Sequence, residues 1–311
     1  MPRHVYLQPD APDPVLADEL VLELARRHVP RVRTVAAVEE SGGEARTYLL
    51  DDDLILKVQR PPQLRPLTSL VKEVFFLNQL AALPAAQRVS VPRVLGHGQA
   101  EPAIEYSVLT RMPGLALRRA SSAPDARRTA LVELGRTLRR IHALPVEPFS
   151  ASGLLPGDLS FMDTQTRLAE QLLDRARDVR DQGGAWDFPL TIEQVAARAL
   201  ARMPRSARRV ALHSNPYEEH MFVLPESGVF SGLIDFGDAY SGHPAFDLRR
   251  WNQPADREAL LAGYGAEQAV DDDFMATWRA LMLVADVNTI VQEPRRAAGA
   301  RRDLEQLLAM S

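Results

Sequence analysis

The spacing of apolar residues changes character near residue 113, and that change divides the chain. Residues 14–27 carry a helical pattern, after which short runs with strand composition follow at 32–38, 45–50 and 54–58. The last two flank Asp51-Asp52-Asp53, which predicts a meander with a tight turn. Ser69 is placed to cap a helix in which Leu70, Val74, Leu77 and Leu80 recur at helical spacing. Glu73 lies one turn from Leu70 and Leu77, so the spacing predicts that it faces inward. Strand-like runs at 91–95 and 104–110 end at Met112-Pro113-Gly114, a turn that reads as a hinge.

Beyond the hinge the pattern becomes helical. Pro124 suits the first turn of a helix over 125–144, whose stripe is Leu131, Leu134, Leu138 and Ile141. Amphipathic segments follow at 166–180 and 192–203. One hairpin interrupts them, with apolar runs 221–224 and 229–234 around Pro225-Glu226-Ser227-Gly228. The remainder reads as helices. The pattern predicts an α+β fold of two lobes, a small antiparallel β lobe over 1–112 and a larger, mostly helical lobe over 113–311.

Composition narrows the function. Hydrophobic residues make up 46% and charged residues 25%, an ordinary globular balance that argues against disorder. No apolar run approaches the roughly 18 residues of a membrane helix, and the first residues lack a signal peptide's apolar core, so a cytoplasmic protein without a membrane partner is expected. The absence of cysteine excludes disulfides, thiolate nucleophiles and cysteine-ligated zinc. A net charge of −4 argues against a nucleic-acid surface and for a small ligand. Lys57 and Lys72 are the lysines among 37 basic residues; arginine supplies the rest. A lysine that persists in such a chain points to a need for a compact ammonium that a planar guanidinium cannot meet.

The residues that bear chemistry cluster late in the sequence. Asp235-Phe236-Gly237 follows the second hairpin strand, where a carboxylate would emerge at a strand end suited to an Mg²⁺ ligand. Alone, the tripeptide is a weak signal and reads as a turn. Upstream stands His213-Ser214-Asn215-Pro216-Tyr217-Glu218-Glu219-His220, and downstream Gly242-His243-Pro244-Ala245-Phe246-Asp247-Leu248.

In order and spacing these segments resemble the aminoglycoside phosphotransferases and related small-molecule kinases. There a loop His-Gly-Asp-x-x-x-x-Asn leads to Ile-Asp-Phe/Trp-Gly, often followed by Asp, and then to Gly-x-Pro-x-x-Asp-Leu. Ile141-His142-Ala143-Leu144 is similar to the family's Leu-His-Ala-Leu. The resemblance covers roughly residues 30 to 255 and implies a protein-kinase-like fold. It implies transfer of the γ-phosphoryl group of ATP or GTP to a hydroxyl of a small molecule, such as an aminoglycoside, a macrolide, an amino-alcohol or a sugar.

The resemblance also assigns roles. Lys57 occupies the slot of the third-strand lysine that meets the nucleotide phosphates, with Glu73 as its helix partner. Ser41, Gly42 and Gly43 sit where backbone amides cover those phosphates, although no Gly-x-Gly-x-x-Gly is present. Thr110 and Met112 stand where a carbonyl and an amide meet the purine. Asp235 is the metal ligand for Mg²⁺; His220, at a second ligand position as in some macrolide phosphotransferases, reads as a metal ligand or phosphate contact or else as a buried structural histidine. Lys72 reads as a solvated charge, His142 as helix-end packing, and His213 as a structural residue holding its loop. Asp247 is placed to receive amides of that loop.

Asn215 departs from the pattern, since the family has the catalytic aspartate there. A carboxamide orients a hydroxyl but does not take its proton, and a positioned base contributes about 10²–10⁴-fold. The sequence leaves three readings open: an inactivated mutant, a natural nucleotide-binding pseudoenzyme, or an enzyme using another base, with Asp158, Asp163 and Glu218 as candidates. The acidic positions Asp158, Asp163 and Asp271-Asp272-Asp273 read either as an attraction for a cationic acceptor or as solvated helix ends. No Ala-Pro-Glu follows Asp235-Phe236-Gly237, which speaks against a protein-kinase activation segment.

Overall fold

A computed structural model of the chain describes residues 15–40, 44–60, 69–100, 104–155, 161–182, 186–249, 251 and 253–310. They form two compact units that interleave along the sequence. One comprises Met1–Ala123, Ser152–Leu155 and Glu218–Ala239, the other Pro124–Ala151, Pro156–Tyr217 and Tyr240–Ser311. The late hairpin is thus grouped with the N-terminal strands.

The first unit is built on five antiparallel strands, numbered here along the chain: β1 (Val35–Glu39), β2 (Ala45–Leu50), β3 (Leu54–Gln59), β4 (Val94–Ala100) and β5 (Ile104–Thr110), in spatial order β1-β2-β3-β5-β4. Burial alternates strictly in β2 and β3, because successive side chains of a strand point to opposite faces. Tyr48, Leu50, Leu54 and Leu56 therefore share one face with Tyr106 and Val108, and helix α1 (Asp18–Arg26) covers it with Val21, Leu24 and Ala25. Each large side chain so buried contributes roughly 1.5–3 kcal/mol. Lys57 lies on the opposite face, in register with Thr47 on one side and Ser107 on the other.

Four details differ from the sequence pattern. The strand expected at 91–95 is β4, displaced toward Gly96 and Gly98, which read as breakers. Gly96 is demanded by packing, since a Cβ there would lie 2.0 Å from the His28 ring. Helix α2 (Ser69–Ala81) buries a stripe through Leu70, Glu73, Phe76, Leu77 and Leu80, rotated away from Val74. That rotation also buries Lys72, which is 4% exposed and not the solvated charge expected. Ser69 does not cap α2 either: it is the first helical residue, and its hydroxyl donates to the Gln59 side chain at 3.1 Å.

After the hinge a short strand, β6 (Leu115–Ala116), pairs with the late hairpin of β8 (Met221–Val223) and β9 (Phe230–Leu233). Gly114 makes this possible: its φ is +92°, and a Cβ would lie 2.1 Å from the Val223 carbonyl oxygen.

The second unit contains helices α3 (Pro124–Ile141), α4 (Glu147–Ser152, whose last residue is grouped with the first unit), α5 (Phe161–Gln182), α6 (Ile192–Arg202), α7 (Pro254–Tyr264), α8 (Asp272–Gln292) and α9 (Ala297–Ala309). Leu131, Leu134, Leu138 and Ile141 of α3 are all buried, as their spacing predicts. Helix α8 is long and apolar enough to cross a membrane by length and composition, yet most of that stretch is buried inside the unit. Its N-cap is Asp271, whose carboxylate accepts from Phe274 N at 2.8 Å. Asp273 accepts from the Ser206 hydroxyl and pairs with His243. Asp271 and Asp273 are therefore tied into a helix start. Two three-residue strands, β7 (Val210–Leu212) and β10 (Tyr240–Gly242), pair antiparallel.

Candidate functional site

In the first unit the central strand β3 directs Lys57 toward α2. Its ammonium donates to both carboxylate oxygens of Glu73, at 3.0 and 2.9 Å, and to Asp235 Oδ1 at 3.2 Å. Burial works against the charged ammonium, but the two carboxylates outweigh it and hold the Lys57 pKa above its ordinary value. Burial pushes the Glu73 carboxyl upward, against the pull of Lys57. The Phe236 amide also approaches Glu73 Oε1, at 3.4 Å. Glu73 is thus the inward group that its helical spacing predicts.

Asp235 follows β9 with φ +72° and ψ +69°, a left-handed conformation that turns the chain into a 3-10 turn over Phe236–Asp238. Strained φ values in non-glycine residues cost about 1–3 kcal/mol and gather at functional positions. The carboxylate remains 43% exposed on its side chain, with Lys57 on one oxygen and His220 Nε2 at 3.2 Å from the other. His220 is fixed by the hairpin, where its carbonyl accepts from Ile234 N at 3.0 Å.

This donor set can be tested against a metal ion. Among the described residues no group of three or more His, Asp or Glu side chains forms a cage. Asp235 and His220 alone suit Mg²⁺, which keeps several waters and takes further oxygens from substrate phosphates. Imidazole is the weaker of the two as an Mg²⁺ ligand.

The hinge residues are fixed by backbone. Thr110 donates its amide to Arg93 O at 3.0 Å and accepts from Arg93 N through its hydroxyl at 2.9 Å. Met112 is 9% exposed, with its side chain packed beside Gly232. Ser41, Gly42 and Gly43 lie outside the described residues, as do Asp158 and the side chain of Asp163.

In the second unit β7 delivers the loop that carries Asn215. The His213 and Ser214 amides donate to Asp247 Oδ2 and Oδ1, at 2.8 and 2.7 Å. Asp247 is fully buried and also meets His142 Nε2 at 2.9 Å, while His142 Nδ1 meets the Tyr264 hydroxyl at 2.9 Å. A carboxylate only accepts, so Nε2 of His142 donates to Asp247. Burial alone would raise the Asp247 pKa, but the His142 hydrogen bond and charge and the loop amide bring it below the ordinary carboxylate value. His142 is therefore part of a polar network, beyond the helix-end packing expected of it. His213 is fully buried, and its Nδ1 accepts from Asn215 N at 3.1 Å. Ser214 has φ +81°. The chain passes from the second unit to the first between Tyr217 and Glu218.

The structure thus brings Lys57, Glu73, Asp235 and His220 together in one unit and sets Asn215 on a loop fastened by Asp247 in the other. Sequence reasoning missed Tyr264 and Trp251, whose indole N–H donates to Pro216 O at 3.1 Å. Neither carries a signal in periodicity or motif.

A family model described as the phosphotransferase enzyme family matches residues 36–282. Among solved structures, the GDP complex of aminoglycoside 2′-phosphotransferase-IIIa is similar at 18% identity and a TM-score of 0.60, over 95% of this chain and 98% of that one. An ADP-bound aminoglycoside phosphotransferase, APH(2″)-Ib, is similar at 15% identity and 0.60, over 94% and 97%. A macrolide 2′-phosphotransferase from Brachybacterium faecium is similar at 19% identity and 0.58, over 93% and 97%. The TM-scores over nearly the whole of each chain show the shared kinase-like fold.

Proposed function

The chain belongs to the phosphotransferase enzyme family, and we propose that it moves the γ-phosphoryl group of ATP or GTP to a hydroxyl of a small molecule in the cytoplasm. The acceptor class we infer is an antibiotic such as an aminoglycoside or macrolide, or a related amino-alcohol or sugar. The observation that carries this reading is the Lys57–Glu73–Asp235 cluster, in which a buried ammonium is held between two carboxylates. Phosphoryl transfer needs charge neutralisation and positioning more than covalent chemistry. The GDP- and ADP-bound relatives support a nucleotide co-substrate.

In this reading the acceptor oxygen forms a bond to the γ-phosphorus as the bond to the bridging oxygen breaks, leaving a phosphate ester and a nucleoside diphosphate, and the hydroxyl proton passes to a phosphate oxygen or to solvent. Lys57 meets the phosphates and Glu73 orients Lys57. The loop with Ser41, Gly42 and Gly43 covers the phosphates, while Thr110 and Met112 meet the base. Asp235, with His220 beside it, would hold Mg²⁺, which when bound neutralises charge on the phosphate oxygens. Asn215 orients the acceptor hydroxyl. Its amide favours a second reading, a nucleotide-binding pseudoenzyme, because it cannot accept the hydroxyl proton.

The deciding experiment compares the chain with Asn215→Asp in a coupled assay of ADP or GDP release, against aminoglycosides, macrolides and small amino-alcohols. The restored carboxylate is expected to raise kcat by about 10²–10⁴-fold with the right acceptor. Nucleotide affinity should change little. Silence across the panel with tight nucleotide binding selects the pseudoenzyme.

A further inference from the structure

The loop around Asn215 is fastened at two points, and only the first is expected from the sequence. On the N-terminal side Asp247 takes the amides of His213 and Ser214. On the C-terminal side the Trp251 indole N–H donates to the carbonyl of Pro216, the residue next to Asn215, at 3.1 Å. Within the loop, Tyr217 N donates to Asn215 O at 3.0 Å.

Trp251 is itself held from several sides. It is 2% exposed. The Arg127 guanidinium lies 6.0 Å from its ring centroid and is fixed by a two-point pair with Asp256, at 2.9 and 2.7 Å. The Trp251 carbonyl accepts from Arg257 Nε. Arg257 is buried, pairs with Asp286 of α8 at 3.1 Å and bonds to Asp303 of α9. A buried guanidinium committed to two carboxylates is costly to move, since displacing it leaves uncompensated charge. The chain of contacts thus runs from α8 and α9 through Arg257 to Trp251 and on to the residue beside Asn215.

We infer that Trp251 is a positioning residue for the side chain at 215, setting the C-terminal side of the loop as Asp247 sets the N-terminal side. The inference rests on the transferase reading for its catalytic consequence, and on backbone geometry alone for its structural one. Misplacement of a reacting group by about 1 Å can cost 10²-fold in rate.

The test is Trp251→Phe, which removes the N–H and retains an aromatic ring, made in the chain as it stands and together with Asn215→Asp. Residue-resolved amide exchange is the first readout. Exchange at Asn215 and Tyr217 should quicken about tenfold or more, while His213 and Ser214, held by Asp247, stay protected. Unchanged exchange at Asn215 and Tyr217 overturns the inference, as does equal quickening at all four amides, which marks general loosening. In the Asn215→Asp background kcat should fall about 10- to 100-fold with the nucleotide KM unchanged. A kcat within twofold overturns the catalytic role. If Asn215→Asp is itself silent, the transferase reading fails, and the exchange pattern alone decides the positioning claim. Should Trp251→Phe not fold, benzothienylalanine at 251 keeps the bicyclic shape, lacks the N–H donor and serves the same comparison.

Discussion

Replacing Ser214 by glycine should stabilise the protein. Ser214 sits at φ +81° between His213 and Asn215, with its amide committed to Asp247 at 2.7 Å. A left-handed backbone costs an L-residue roughly 1–2 kcal/mol, because Cβ crowds the following carbonyl. Glycine escapes that cost but gives up about 0.5–1 kcal/mol more chain entropy on folding. The amide that Asp247 holds belongs to the backbone and survives the change. The net expectation is about 0.5–1 kcal/mol of stabilisation, a rise of about 1–4 °C in the thermal midpoint. Differential scanning calorimetry of Ser214→Gly against the parent measures it. Asp51→Gly is the control: Asp51 has φ +46°, but its carboxylate accepts from Arg33 N, Thr34 N and the Thr34 hydroxyl, so removing it should lower the midpoint. A fall in midpoint for Ser214→Gly of more than about 2 °C would refute the strain argument.

Two further outcomes follow from buried charge. Asp286 is 1% exposed, and burial pushes its pKa up from 3.8 to about 6 against the pull of Arg257. The unfolded chain releases this proton first as pH rises, so stability is highest below about pH 4 for this group and is lost through about pH 6, by about 3 kcal/mol. Asp286→Asn should flatten the midpoint-against-pH curve between pH 4 and 6, and an unaltered slope would assign it elsewhere. Glu73→Gln leaves the Lys57 ammonium with Asp235 as its remaining carboxylate, and urea unfolding should show a loss of about 2–3 kcal/mol.

What the sequence revealed depended on how many residues share a signal. Strands β2, β3 and β5 fall where the short strand-like runs put them, because six or seven residues share the signal; burial alternates in β2 and β3 and runs unbroken over four residues of β5. Strands β7 and β10 have three residues each, too few for any period to register. Strand β4 was displaced because glycine reads as a breaker, whereas Gly96 is there to admit the His28 ring. In α2 the apolar positions selected Val74, while one-turn spacing from Leu70 and Leu77 placed Glu73 inward. The structure keeps Glu73 on the buried stripe, where Lys57 compensates it, and leaves Val74 off it. Asp247 was legible through its motif, but Trp251 was not, because the feature that matters is one indole N–H meeting a carbonyl 35 residues away.

The lysine at 57 shows how composition and geometry bear on one another. The chain meets nearly every demand for positive charge with arginine, yet keeps an ammonium where three carboxylate oxygens converge within 3.2 Å of one nitrogen. An ammonium has three donors arranged around a single atom, so it can face two oxygens of Glu73 and one of Asp235 at once. Arginine's donors lie in one plane on a fork that fits a single carboxylate edge-on and would spread the charge over a wider, less adaptable group. The space is also limited: the Lys57 side chain is 12% exposed and Glu73 only 2%. A compact charge between two acids from different elements is what strand β3 and helix α2 are arranged to hold. The second lysine, Lys72, adjoins Glu73 on the same helix and is equally buried, so both lysines of the chain belong to the interior of this unit and neither serves as a surface charge.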